Sequence, residues 1–156
     1  MIAMILRAKG KSFEMEVLGY EFPSAIDYDD ANWLNIKIQA SDKDQSWEAS
    51  DSCLLTCELI ELKQWLEKIS KGKKVDPHIS FLEGELAFGF NSNDNELVVE
   101  LNFNFHPKGD SYKYGDEGDK KYLISFPMEK GNLHAYESIN RFLESYPERL
   151  KQFKKR

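Results

Sequence analysis

Hydrophobic positions along this chain repeat with two periods, and the switches between them mark out strands and helices. Ile2, Met4 and Leu6 alternate with smaller or charged neighbours, and Phe13, Met15 and Val17 alternate with Glu14 and Glu16. A period of two predicts half-buried strands. The phase slips at Val17-Leu18, after which Leu18, Tyr20 and Phe22 take the apolar positions. A slip of one residue turns every later side chain to the other face, so a bulge is predicted at Gly19, with Pro23 ending the strand. SAIDYDDAN reads as an Asp-rich loop. Leu34, Ile36, Ile38 and Ala40 alternate again, SDKDQS reads as a polar hairpin connection, and Trp47 and Ala49 begin the returning strand.

The period then changes. Leu59, Leu62, Leu66 and Ile69 recur every three or four residues, with Trp65 beside the stripe. That spacing predicts an amphipathic helix. Thr56 is placed to cap it, Glu58 and Glu61 lie in its first turns, and Gly72 can take the left-handed position after its end. Ile79 and Phe81 open a strand that Gly84 interrupts and Leu86, Phe88 and Phe90 continue. Leu97, Val99, Leu101, Phe103 and Phe105 form the cleanest alternation in the chain, predicted to pair with 85–90 as a long hairpin. Tyr122, Ile124 and Phe126 form a last strand before Pro127. Leu133, Tyr136, Ile139 and Leu143 make a second helical stripe, with Asn132 as its cap and Pro147 as its end.

The sum is an α+β fold. One largely antiparallel meander sheet of six to seven strands is expected, with two main helices packed on one face, because the helical stripes need an apolar partner. At 156 residues the natural division is one domain over residues 1–156, in which 146–156 is a basic tail that frays. No run of about eighteen apolar residues predicts a membrane span. The N-terminus lacks the basic region and cleavage pattern of a signal peptide. A cytoplasmic location follows as the expectation. Cys53 and Cys57 have no His at a zinc-like spacing and read as small packing residues in a reducing compartment.

The net charge is −6. Such a field disfavours nucleic acid and anionic membranes and favours a basic partner. Segment 21–51 carries eight acids against Lys37 and Lys43, so this segment alone accounts for the charge of the chain. Asp27, Asp29 and Asp30 are its densest cluster, followed by Glu48 and Asp51. Neither DYDD nor DKDQ continues into a calcium loop, so no metal is assigned there. Charge runs are usually solvated faces, and the sequence alone favours that reading of the patch. Trp33 and Trp47 lie at strand ends beside acids, where Trp serves equally as core residue or interface anchor, whereas Trp65 reads as core. Loop 108–121, with Tyr112 and Tyr114, has the composition of an adaptable binding loop and also of a plain hairpin tip.

His78, His106 and His134 stand in no recognisable catalytic setting. No nucleophile elbow, P-loop or H-E-x-x-H occurs, and no catalytic residues and no cofactor are assigned. A small hydrolase assembled from distant residues such as His106 and Asp119, and a small-ligand or adaptor module, are the competing classes.

Three stretches carry a further signal: LGYEFPSAIDYDDANWL, DSCLLTCELIELKQWLEKI and ISFLEGELAF. In that order and at that spacing they resemble the WapI-type immunity proteins of bacteria over roughly residues 13–90. Ser52 stands where that family often has Pro. The resemblance implies a single-domain cytosolic inhibitor and not an enzyme. Its partner would be a cognate toxin C-terminal domain, basic and of the RNA-cleaving kind. It raises Asp27, Asp29, Asp30, Trp33, Glu48 and Asp51 to candidate partner-binding residues. The oligomeric state stays open, with a monomer as the default.

Overall fold

A computed structural model describes residues 2–108 and 121–154. Eight strands form two four-stranded antiparallel sheets. In the first, β1 (Met4–Ala8), β2 (Lys11–Tyr20), β3 (Trp33–Asp42) and β4 (Gln45–Leu55) lie in chain order. In the second, β5 (His78–Ser80), β6 (Leu86–Asn91), β7 (Glu96–Leu101) and β8 (Tyr122–Pro127) do the same. The α+β class holds, but the single meander sheet does not. Alternation tells which face of a strand is buried, not which strand lies beside it. Helix α2 (Thr56–Ser70) intervenes after β4, and the next strand starts a new sheet instead of joining β4.

The sheets share one core. Leu34, Ile36, Ile38, Met15 and Phe13 of the first sheet cluster with Phe88, Val99, Leu101, Ile124 and Phe126 of the second. Phe13 meets Phe88 edge-on, with ring centroids 6.3 Å apart. Trp47 seals one margin: its Nε1 donates to Phe105 O at 3.0 Å and its ring lies edge-on to Tyr122 at 5.2 Å. Tyr122 in turn donates to Asp42 Oδ2 at 2.9 Å. Trp47 is therefore committed to holding the sheets together. Trp65 is buried as expected, its Nε1 donating to Asp76 O at 2.8 Å.

Helix α2 and helix α3 (Ala135–Ser145) pack on each other, and α3 also lies against β1. Their apolar residues join the shared core. Gly72 has φ +70 and closes α2 as expected: its N–H bonds to Ile69 O and that of Lys73 to Lys68 O. The cap of α2 falls one residue earlier than expected, on Leu55, whose N–H is met by Glu58 Oε1 at 3.0 Å.

The bulge lies between Val17 and Gly19, as read. The 97–105 alternation stops at Leu101, because Phe103–Phe105 turn as a 3-10 helix with Phe103 at φ +48. Gly84 permits this turn, since a Cβ there would stand 3.2 Å from the Phe103 ring. Gly84 does not interrupt one strand; it sits between two antiparallel neighbours, β5 and β6.

Asn132 does not cap α3. It lies in the 3-10 turn Lys130–His134 and imitates a paired strand residue. Its Oδ1 accepts from Arg7 N, and its Nδ2 donates to Arg7 O and Pro127 O, each at 2.9 Å. It is 7% exposed. Replacing Asn132 with Ala strands three backbone groups, and each stranded buried group is worth about 1–3 kcal/mol. A thermal melt should fall by several degrees for Asn132→Ala, whereas Asn93→Ala at an exposed turn should leave it within about a degree.

Candidate functional site

The segment SAIDYDDAN folds, contrary to its reading as a loop. Asp27 caps a short helix, α1 (Tyr28–Asn32), its Oδ1 accepting from Asp30 N at 2.9 Å. Asp29 and Asp30 occupy the first turn, where the partial positive charge of the backbone favours acids. The hydrogen-bonded Asp27 carboxyl comes first among the causes that raise the pKa of Asp30, with Asp27, Asp29 and Glu21 adding repulsion. Four acids thus crowd one small surface. Phe22 (44% exposed) and Ile26 (89% exposed) stand in the same segment.

The geometry of that surface is set by one buried amide. Asn32 ends α1 and is 1% exposed. Its Oδ1 accepts from Thr56 Oγ1 at 2.9 Å and from Arg149 N at 2.8 Å. Its Nδ2 donates to Tyr28 O at 2.8 Å and Arg149 O at 2.9 Å. Both donors and both acceptor positions of the amide are used. Asn32 therefore joins α1, the start of α2 and the C-terminal segment at a single point.

Arg149 extends the joint to the surface. Its guanidinium donates to Phe22 O, Pro23 O and Ala31 O, and its Cζ lies over the Tyr20 ring, 3.7 Å from the centroid. Tyr20 is held in turn by Pro147 O, which accepts its hydroxyl at 2.5 Å. Tyr28 donates to Glu148, and Lys154 lies 3.4 Å from that carboxylate. Burial first, and then Glu148, pushes the Tyr28 hydroxyl well above its usual range. Residues 147–154 thus form a brace under the segment that carries Phe22, Ile26 and the acids.

The other candidates lie apart. Trp33 begins β3 beside the cluster, half-buried, and its carbonyl accepts from Glu21 N at 2.9 Å. Glu48 pairs across the ladder with Gln39, six residues further along β3, or about 20 Å. There Gln39 Nε2 donates to it at 3.1 Å and Lys37 lies 3.7 Å away. These two partners hold its carboxyl below the usual range. Asp51 pairs with Ile36, whose side chain is in the core, so Asp51 faces inward toward Glu85. The six candidates therefore divide into the α1 cluster with Trp33, an outer-face pair at Glu48, and an inward Asp51.

Residues 109–120, including Tyr112, Tyr114 and Asp119, lie outside the described residues. His106 is buried, and its Nδ1 accepts from Lys108 N at 3.1 Å. His78 Nε2 lies 2.7 Å from Glu100 Oε2, and Lys121 lies 3.3 Å from the other oxygen of that carboxylate. Cys53 is buried in β4, and burial pushes its thiol far above the usual range, so it packs rather than reacts. Among the described residues, no three His, Cys, Asp or Glu side chains gather as metal ligands. No described helix is long and apolar enough to cross a membrane.

The family model of the WapI-like immunity proteins matches residues 4–147. The chain belongs to the WapI-like immunity protein family. The match extends beyond the 13–90 stretch, and takes in β7, β8 and α3. It covers every residue of the acidic α1 surface. No curated protein matches the chain significantly. Its class is that of bacterial immunity proteins, whose role is binding a toxin protein.

The brace can be tested without any partner. Asn32→Ala leaves Thr56, Tyr28 and Arg149 groups unpaired inside the protein. A loss of about 2–4 kcal/mol is expected in urea unfolding, since at least two buried groups lose their partners. Arg149→Lys keeps the charge but loses the fork of donors and the guanidinium over the Tyr20 ring. It should cost less, and should raise amide exchange at residues 21–32 selectively.

Proposed function

We propose that this protein neutralises a cognate nuclease-type toxin domain by covering its basic, RNA-binding surface, with no turnover of its own. The acidic α1 surface is the face that meets the toxin. The observation that carries this reading is Ile26, left 89% exposed on a segment that also carries Phe22, Glu21, Asp27, Asp29 and Asp30. An apolar anchor ringed by like charges matches a basic target with a hydrophobic depression. The anchor would supply contact energy, and the acids would supply steering and orientation.

The brace supports the same reading. A segment already ordered in the free protein does not lose conformational entropy again on binding. Acidic side chains at α1 would take the places that substrate phosphates occupy on the toxin. Glu48 plays a smaller part, because Lys37 and Gln39 already partly neutralise it. Trp33, half-buried beside the cluster, backs the surface. The location is the cytoplasm, where a producing cell needs protection from its own toxin.

The direct test is co-expression with the C-terminal domain of a large secreted protein encoded beside this chain. Rescue of growth and a purifiable complex are expected. Continued toxicity, with no complex formed, would sink the reading. Within the complex, Asp29→Asn with Asp30→Asn should slow association several-fold at low salt and little at high salt, because screening shortens the reach of exposed charges. Ile26→Ala should act on dissociation, raising koff roughly tenfold, the equivalent of about 1.4 kcal/mol.

Acid should weaken the complex in a defined direction. The pKa of Asp30 is raised in the free protein by its acidic neighbours. A cationic partner lowers it again, so binding at a pH near the raised pKa expels a proton. Affinity is greatest above the raised pKa and declines as pH falls through it. Calorimetry in buffers of different ionisation enthalpy should detect that proton release, and Asp30→Asn should reduce it.

A further inference from the structure

A stable protein–protein interface takes about 20–30 residues a side. Residues 21–32 are too few to supply that alone, so a partner seated on α1 also covers a neighbouring surface. Three surfaces are available. The outer face of the first sheet carries Glu14, Glu16 and Glu48, but each of these lies 3.6–3.8 Å from Arg7 or Lys37. The end of the chain presents Lys151 and Lys154, the wrong sign for a cationic partner. The third surface is the start of α2 with loop 81–84 beyond it.

The first turn of α2 holds both flanking segments. Thr56 Oγ1 donates to Asn32 Oδ1 at 2.9 Å and so fixes α1 on one side. Glu58, two residues on, points about 200° around the helix from Thr56. Its Oε1 accepts from Leu55 N at 3.0 Å, and its Oε2 accepts from Leu82 N at 2.7 Å. One carboxylate thus caps α2 and fastens the loop. Cys57 and Glu61 fall between the two directions, at about 100° and 140° from Thr56. Glu61 is exposed there. The helical turn therefore lays α1, the Cys57–Glu61 strip and loop 81–84 side by side.

The loop repeats the combination seen at α1. Leu82 is 75% exposed, and Glu83 beside it is exposed as well. The Phe103 ring, 40% exposed, stands over Gly84, where a Cβ would meet it at 3.2 Å. The far end of the loop is held by Asn102 N, which donates to Glu85 O at 2.9 Å. Among the described residues, neither Glu61 nor Glu83 enters an ion pair. An apolar side chain held out beside unpaired acids suits a basic surface with a hydrophobic depression. Because both ends of the loop are tied in the free protein, little order is left to impose on binding.

We propose that the toxin-facing surface runs from α1 across Cys57 and Glu61 to loop 81–84, where Leu82 is a second apolar anchor for the same cationic protein. This extension rests on the reading of α1 as the toxin-facing segment, and it places the remainder of the contact.

The complex with the co-expressed toxin domain provides the test. Leu82→Ala should raise koff roughly tenfold, as Ile26→Ala does. Glu61→Gln with Glu83→Gln should slow association several-fold at low salt and little at high salt. Leu82 is largely exposed, so Leu82→Ala should melt with the parent, and its loss of affinity is then a loss of contact. If Ile26→Ala weakens the complex while Leu82→Ala and the Glu61, Glu83 variant bind as the parent does, the extension is overturned and the α1 reading stands. If neither Leu82→Ala nor Ile26→Ala changes dissociation, or the parent forms no complex, both fall together.

Discussion

The amide of Asn32 is the constraint on which the candidate surface depends. It lies 24 residues from Thr56 and 117 from Arg149, yet bonds to both. A buried amide with every donor and acceptor used tolerates only one arrangement of its neighbours. Arg149, positioned by it, then reaches three carbonyls and the Tyr20 ring. A short helix of five residues could not be stable alone. Here it is fixed by the end of the chain, and the acids and Ile26 on it acquire a defined geometry.

The acids of this chain differ in what they have left to offer. Glu48 is met by Gln39 and Lys37, and Glu58 by the N–H groups of Leu55 and Leu82. Burial raises the pKa of Glu58 despite those bonds, and raises that of Glu85 to about 8, with the Asp51 carboxyl adding to the effect. The α1 acids are different: they are exposed, mutually repelling and short of cations. Net charge alone hides this distinction, because it counts a paired acid and an unpaired one equally.

Much of the fold was legible in the sequence. Period-two runs located most strands, the slip at Val17 located the bulge, and Gly72 located the end of α2. The division into two sheets was not legible, since alternation carries no information about strand neighbours. The turn at Phe103 was hidden for a similar reason: its apolar residues extend a perfect strand pattern. The α1 acids were found by composition. Asn32 and Arg149 were not, because their roles arise from contacts between distant segments. Asp51 and Glu48 were grouped with the α1 acids by sequence proximity, and the strands carry them to other faces.

In the proposed complex the braced α1 segment is the toxin-facing surface. Hydrogen–deuterium exchange of this protein, alone and saturated with its co-purifying toxin domain, tests it most directly. New protection is expected to concentrate in residues 18–32, with the Arg149 brace slowed alongside. Protection centred on the outer strands of the second sheet, with 18–32 exchanging as in the free protein, would contradict it.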